Sequence, residues 1–320
     1  MDDHPAIAVV GPTASGKSQL AMAVAQEFHG EIISCDALQV YRGMDIGTAK
    51  PTTAERACIP HHMLDLRNPG EDFSAGDYQR IGRDVLQSVV ARGNIPIVAG
   101  GTGFYLRALI DGLFAGPGRS EALRSRIRKV LSHRGPARLH CILSRVDPRS
   151  AERISAADVA RILRALEVWF LTRRPLSSWQ DQPRVALSGF RWLKLGIAWP
   201  RERLYRRIDA RVEQMYRDGL VEESRALLRT YPRNCHAFKA IGYRQCSVLL
   251  DGACTLEQAI SDTQQQTRRY AKRQLTWFRS LPDLVWLEGD EDFHRLVSRA
   301  SGLIRHWLIA GAAPTVQQPG

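Results

Sequence analysis

Ala6 to Val10 is an unbroken apolar run that stops at Gly11, and the stretch from Ser18 to Phe28 then places Leu20, Ala21, Val24 and Phe28 at spacings of three and four. The first pattern suits a strand buried on both faces and the second an amphipathic helix, so the chain opens as strand, glycine-containing loop, helix. Two further apolar runs follow. Ile32 to Cys35 ends at Asp36, and Ile95 to Ala99 ends in Gly100-Gly101-Thr102-Gly103, with helical periodicity from Gly76 to Arg92 between them. Strands alternating with helices predict a parallel α/β sheet, in which ligands bind beyond the carboxyl ends of the strands. Each of the three runs stops at a glycine or a carboxylate.

From Ser120 to Ser178 the periodicity is helical throughout, with Leu123, Ile127, Val130 and Leu131 in one stretch and Ile162, Leu163, Leu166 and Phe170 in another. Strand character returns at Arg191 to Trp199 (RWLKLGIAW), and Pro200 opens a run of Arg-rich helices. The expected fold is therefore α/β: a P-loop parallel sheet core flanked by helices over 1–118 and 190–310, with a helical insertion domain over 119–189. The closing GAAPTVQQPG (311–320) lacks an apolar pattern and is expected to be a disordered tail. No internal repeat is present.

With 320 residues, 44% hydrophobic and 24% charged, the composition is that of a globular protein and excludes wholesale disorder, fibrous repeats and a disulfide scaffold. The charge changes the picture. Forty-five Lys and Arg against 33 Asp and Glu leave +12, which points to a polyanionic partner such as nucleic acid, although a surplus serving solubility gives the same count. The six cysteines form no CxxC pair, which fits reduced thiols in a cytosol better than zinc or disulfides. The apolar run at the start is too short for a signal peptide, and no uninterrupted stretch reaches the ~20 residues of a membrane span, so a soluble, cytoplasmic protein is expected.

Gly11-Pro12-Thr13-Ala14-Ser15-Gly16-Lys17-Ser18 matches G-x-x-x-x-G-K-[ST] between a strand and a helix, the context that the motif requires. Backbone amides and the helix N-terminus surround a phosphate, Lys17 supplies a point charge, and the Ser18 hydroxyl can hold Mg²⁺. Such a loop specifies a polyphosphate without specifying the reaction. Asp36 could be read as the second, metal-supporting carboxylate of an NTPase. It follows the loop closely, however, and leads into a stretch from Asp36 to Pro51 that has neither helical nor strand period, as binding loops do. A long connection capped by an Asx turn reads the same way.

Taken together, GPTASGKS at 11–18, ISCDALQVYRGMDIGTAKPT at 33–52, HHMLDL at 61–66, GGTGFY at 100–105, RALEV at 164–168, GYRQ at 242–245 and AKRQLTWFR at 271–279 resemble the tRNA dimethylallyltransferases, the bacterial tRNA isopentenyltransferase (IPP transferase) family, in order and spacing from about residue 5 to about residue 290. The resemblance implies transfer of a dimethylallyl group from dimethylallyl pyrophosphate to N6 of the adenosine immediately 3′ of the anticodon, with Mg²⁺, by a cytoplasmic monomer acting on the tRNA anticodon stem-loop. It implies that Gly11 to Ser18 and Arg211 hold the pyrophosphate, Ser18 the metal, that Asp36 is the base and that Thr102 contacts the nucleotide. It further implies tRNA contacts from Asp36, Ala37, Leu38, Gln39 and Thr102, from Arg124 and Ala160, Arg161, Ile162, Leu163 and Arg164 in the insertion, and from Lys239, Ala240, Ile241, Gly242, Tyr243, Arg244 and Gln245. Lys272, Arg273, Trp277 and Arg279 complete that set. Two positions depart from the family pattern: Ala37 stands where relatives commonly carry Ser, and Ala160 where they often carry Gln.

The residue types suit that chemistry. An allylic carbon leaves pyrophosphate as a delocalised cation once the departing charge is stabilised, and the adenine N6, its lone pair drawn into the ring, needs a carboxylate to take its proton. Bland readings stay open beside these. Thr102 could be a turn hydroxyl bonded to backbone, Arg211 and Arg207, one turn apart, could be a solvated pair, and Tyr270, Trp277 and Phe278 could be core residues or could stack on splayed bases. Arg268, Lys272 and Arg279 form a basic band suited to a phosphate backbone, with Arg269 and Arg273 beside it. Two rival functions fit the P-loop alone, a nucleotide or small-molecule kinase and an RNA-binding protein with a vestigial loop; intact Gly16, Lys17 and Ser18 argue against decay.

Overall fold

The computed structural model describes residues 3–310; the expected tail over 311–320 lies outside them. In chain order the elements are β1 (His4–Val10), α1 (Lys17–Glu27), β2 (Gly30–Cys35), α2 (Thr53–Cys58), β3 (His61–His62), α3 (Ala75–Ala91), β4 (Ile95–Gly100) and α4 (Gly103–Ile110). The helical α5 (Glu121–Val146), α6 (Pro148–Arg153), α7 (Val159–Thr172) and α8 (Leu176–Gln180) follow. Then come β5 (Phe190–Ala198), α9 (Arg201–Arg217), α10 (Leu220–Thr230), α11 (Tyr243–Leu250), α12 (Leu256–Arg279), β6 (Leu284–Glu288) and α13 (Phe293–Ala310). No helix among the described residues is long and apolar enough to cross a membrane.

All strand pairs are parallel, in the order β3-β2-β4-β1-β5-β6. The alternating side chains of β1 explain the fully apolar run. Ile7 and Val9 pack with Leu20 and Val24 of α1 and with Ile304 and Trp307 of α13. Ala6, Ala8 and Val10 pack on the other face with Tyr78 and Leu86 of α3 and Leu106 and Leu109 of α4. The register puts Cys35, Gly100 and Val10 in one row, with Gly196 beside Val10. The loops after β1, β2 and β4 therefore leave the sheet side by side. Gly100 permits this approach, because a Cβ there would lie 2.1 Å from the Cys35 carbonyl oxygen.

The Asp36–Pro51 stretch is firmly built despite its lack of period. Val40, Tyr41 and Met44 are buried among Leu204, Ile208 and Val212 of α9 and Leu220 of α10. Lys50, its side chain wholly buried, donates to the Tyr41 carbonyl (2.7 Å), Asp45 (2.5 Å) and Asp65 (2.7 Å). The Glu223 carboxylate accepts from the amides of Asp45 (3.0 Å), Ile46 (2.8 Å) and Gly47 (3.3 Å), and from the Tyr243 hydroxyl (2.6 Å).

The chain divides into two compact units, one running up to Ile110 and resuming at Leu187, the other Asp111–Ala186. The division falls earlier than the expected limits of 119 and 189, and hydrogen bonds account for it. Leu187 donates to the Ile110 carbonyl, closing the first unit. Within the second, Arg164 donates to the Pro117 carbonyl and the Ser120 amide to Glu167, tying the approach to α5 onto α7. The core of this second unit comprises Ile127, Leu139, Leu143, Ile162, Leu163 and Leu166, and α5 bends at Gly135 (φ 73°), just before Pro136. Glu167 is fully buried; burial raises its pKa, but Arg124, the Ser120 amide and Arg164 outweigh this and hold it at about 2.

Candidate active site

The P-loop leaves β1 through Gly11 and enters α1 through Gly16, whose φ of 90° lies in the left-handed region that favours glycine. Three side chains from elsewhere in the fold hold this loop. The Trp199 indole donates to the Ser15 carbonyl (2.9 Å), and Arg207 donates to the Ala14 carbonyl (2.8 Å) while its guanidinium lies 4.3 Å over the Trp199 ring. Arg207 thus props the loop while staying exposed to solvent. On the opposite side the Thr13 amide donates to Gln274 Oε1 at 2.9 Å.

Lys17 donates to the Pro12 carbonyl (3.2 Å) and keeps a little accessible surface into the cleft. Burial, and then the nearby Arg211 charge, lower its ammonium pKa to about 8, against an opposing pull from Asp36. Burial also lowers the pKa of Arg211, again opposed by Asp36. Two cations and one carboxylate thus converge where a polyanion can complete the charge balance. Asp36 Oδ1 accepts from the amides of Leu38 (2.8 Å) and Gln39 (3.4 Å), an Asx turn that orients the carboxylate.

Thr102 begins the turn after β4. Its amide donates to the Cys35 carbonyl (3.1 Å) and its hydroxyl accepts from the Ala37 amide (3.2 Å), so the expected alternative of a turn hydroxyl bonded to backbone is part of its role, with the hydroxyl proton left to donate. The glycines around it are dictated by α12: a Cβ at Gly101 would lie 2.2 Å from Gln274 Nε2, and one at Gly103 2.1 Å from the Trp277 ring. Tyr270 of α12 also lines the cleft, and burial, assisted by the Asp36 charge, pushes its phenol up to about 12.

These groups line one cleft of about 380 Å³. Thr13, Ala14, Lys17 and Ser18 form one wall, with Gly11, Pro12, Ser15 and Gly16 completing the loop behind it; Asp36, Ala37, Leu38, Gln39, Thr102, Arg211, Lys239, Ala240, Ile241 and Gly242 line the rest. The C-terminal helices add residues that sequence reasoning missed or placed differently, namely Ile208, Met215, Thr263, Thr267, Tyr270 and Gln274. The last four recur at helical spacing along α12, a polar stripe where the period demands apolar residues, and that stripe was the available signal. Ser18, at the start of α1, lines the cleft, and no group of three or more His, Cys, Asp or Glu side chains arranged for a metal occurs among the described residues.

Several of the residues expected to contact RNA have structural partners of their own in this fold. Tyr243 is fully buried with its ring pressed on Gly47, and Gln245 accepts from the Gly242 amide (2.9 Å) and donates to Asp262 (2.7 Å), so both help to build the loop. Ile162 and Leu163 belong to the apolar core of their unit, and Arg124 and Arg164 are engaged with Glu167. Ala160 and Arg161 are exposed, as are Arg244, Lys272, Arg273 and Arg279. Trp277 is half-buried against Gly103, Phe278 is core, and Arg268 turns from the basic band to Asp209.

Comparison with known proteins accords with this arrangement. The family model described as IPP transferase matches residues 39–281. The tRNA dimethylallyltransferase of Koribacter versatilis is 48% identical over 305 residues, covering 95% of this chain and 99% of that protein, and its counterpart from Solibacter usitatus is 51% identical over 285 residues, covering 89% and 92%. Among solved structures, the tRNA isopentenylpyrophosphate transferase of Bacillus halodurans superposes with a TM-score of 0.72 at 37% identity, covering 97% of this chain and 98% of that one. A eukaryotic dimethylallyltransferase described as acting on tRNA superposes at 0.81 with 28% identity, covering 98% and 81%. Matched along nearly its whole length in sequence and in fold, this chain belongs to the tRNA dimethylallyltransferase (IPP transferase) family.

Proposed function

We propose that the protein transfers the dimethylallyl group of dimethylallyl pyrophosphate to N6 of the adenosine 3′-adjacent to the anticodon of tRNA, releasing pyrophosphate and N6-(dimethylallyl)adenosine. The observation that carries this reading is the meeting in one cleft of the P-loop, with Lys17 and Arg211, and the Asp36–Thr102 pair. The P-loop amides, Lys17 and Arg211 would bind the diphosphate and stabilise the charge that grows on it as the carbon–oxygen bond breaks. Asp36 would accept the N6 proton as the carbon–nitrogen bond forms, and Thr102 would orient the nucleotide.

The donor set fits Mg²⁺: a single neutral hydroxyl, Ser18, beside a diphosphate site suits a hard ion that keeps most of its ligands as water and phosphate oxygens. When bound, such an ion adds positive charge against the departing diphosphate. The adenosine has to leave its stack, at a cost of a few kcal/mol that is least in a loop, which favours the anticodon stem-loop as substrate. Exposed Lys272, Arg273 and Arg279 on α12 supply positive charge for its phosphates, in keeping with the +12 net charge of the chain. We assign the protein to the cytoplasm, where tRNA is available, as a monomer.

The test is nucleoside mass analysis of tRNA after incubation with dimethylallyl pyrophosphate and Mg²⁺. A prenylated adenosine beside the anticodon is expected; brisk ATP hydrolysis or phosphoryl transfer with unmodified tRNA would replace this reading with a kinase-like one.

A further inference from the structure

The two halves of the cleft come from different loops, the P-loop after β1 and the Thr102 turn after β4, on adjacent strands that meet at Val10 and Gly100. One side chain joins them. Gln274 of α12, nearly buried, accepts from the Thr13 amide through Oε1 (2.9 Å) and donates through Nε2 to the Gly101 carbonyl (2.9 Å). A carboxamide presents an acceptor and a donor at its two ends in this way, whereas a carboxylate would keep the first bond and set an anion against the Gly101 carbonyl. The site is built around that amide, since a Cβ on residue 101 would lie 2.2 Å from Nε2. The same helix presents Lys272 and Arg273 outward, so the element that holds both loops also carries the exposed basic surface.

We propose that Gln274 is a positioning residue that couples the diphosphate half of the site to the nucleotide half, so that RNA docked against α12 tightens the P-loop on pyrophosphate. The inference rests on the functional reading above. Coupling is reciprocal: whatever factor RNA adds to pyrophosphate affinity, pyrophosphate adds to RNA affinity. The residue touches neither the reacting carbon nor N6, and it acts through the Thr13 and Gly101 backbone.

The experiment titrates inorganic pyrophosphate with Mg²⁺ into the full chain by calorimetry, with and without saturating unmodified anticodon stem-loop RNA, and repeats this for Gln274→Glu and Gly101→Ala. The second variant keeps the glutamine but displaces its amide. Wild type is expected to bind pyrophosphate about fivefold or more tightly with RNA present. Each variant should bring that ratio to within about twofold of one and lower kcat more than it raises the KM for dimethylallyl pyrophosphate. Partial unfolding would reduce the number of binding sites without altering the ratio of affinities, and if one variant fails to fold the other decides. Wild-type coupling retained in a folded variant, or no coupling in a wild type that prenylates tRNA, overturns the inference and leaves the proposed function standing; a wild type that prenylates no tRNA overturns that function instead.

Discussion

Glu223→Ala is the perturbation that most directly tests how the long cleft loop is held. The Glu223 carboxylate accepts from three consecutive amides, those of Asp45, Ile46 and Gly47, and from the buried Tyr243 hydroxyl. A hydrogen bond to a charged acceptor contributes about 1.5–3 kcal/mol. The amide of Asp45 is solvent-exposed and finds water in the variant, so its loss costs little. The Tyr243 hydroxyl is sealed from solvent against Gly47 and would be left without its acceptor. Counting that bond fully and the Ile46 and Gly47 amides at a fraction gives a loss of about 3–4 kcal/mol. Tyr243→Phe removes only one bond and leaves the carboxylate on its three amides, so it should cost about 1.5 kcal/mol. Thermal unfolding should follow in proportion, roughly 1.5–2 °C per kcal/mol for a chain of 320 residues. Because Asp36 to Gln39 and Gly47 to Ala49 line the cleft on this same loop, Glu223→Ala should also raise the KM for tRNA. A variant within about 0.5 kcal/mol of wild type, with unchanged tRNA kinetics, would show that the loop is held by Lys50 and its apolar contacts alone.

Asp36→Asn should lower the single-turnover transfer rate by about 10²–10⁴-fold while tRNA affinity, measured by filter binding, stays within about threefold; an unaltered rate would remove the assigned base. Since burial and Arg211 lower the Lys17 pKa to about 8, pyrophosphate affinity of the free enzyme should be retained below that pH and decline as pH rises through it, as the ammonium that faces the anion loses its proton. The decline should vanish in Lys17→Ala, and a persistent one would assign it to another group. Glu167→Ala leaves Arg124 and Arg164 without their buried partner and should cost about 3–5 kcal/mol, melting the helical insertion before the core. With its folded pKa at about 2, against 4.5 for the ordinary carboxyl, Glu167 contributes stability that is fully present above pH 4.5 and lost as pH falls towards 2. A unit whose acid unfolding is the same with and without this carboxylate would refute that account.

What the sequence determined by itself was local. The uninterrupted apolar run of β1 requires burial on both faces, and the GKS that follows it is a loop whose chemistry resides in its own backbone and side chains. Asp36 and the Gly100–Gly103 turn were legible as unusual endings of buried strands, and their convergence followed once the sheet was read as parallel. Two strands escaped notice: β3 is too short to carry a period, and β6 (LVWLE) reads alike as strand or helix. The tertiary structure alone decided which polar residues line the cleft and which hold the scaffold. Tyr243, Gln245, Arg124 and Arg164 sit in motifs as prominent as those of the cleft, yet burial commits them to Glu223, Asp262 and Glu167. Gln274, unremarkable within a basic tract, proves to join two loops far from it in sequence. The reason is that a helix period specifies which residues share a face but not what that face meets, and hydrogen-bond partners distant in the chain are chosen only when the packing of α9 and α12 brings them within about 3 Å.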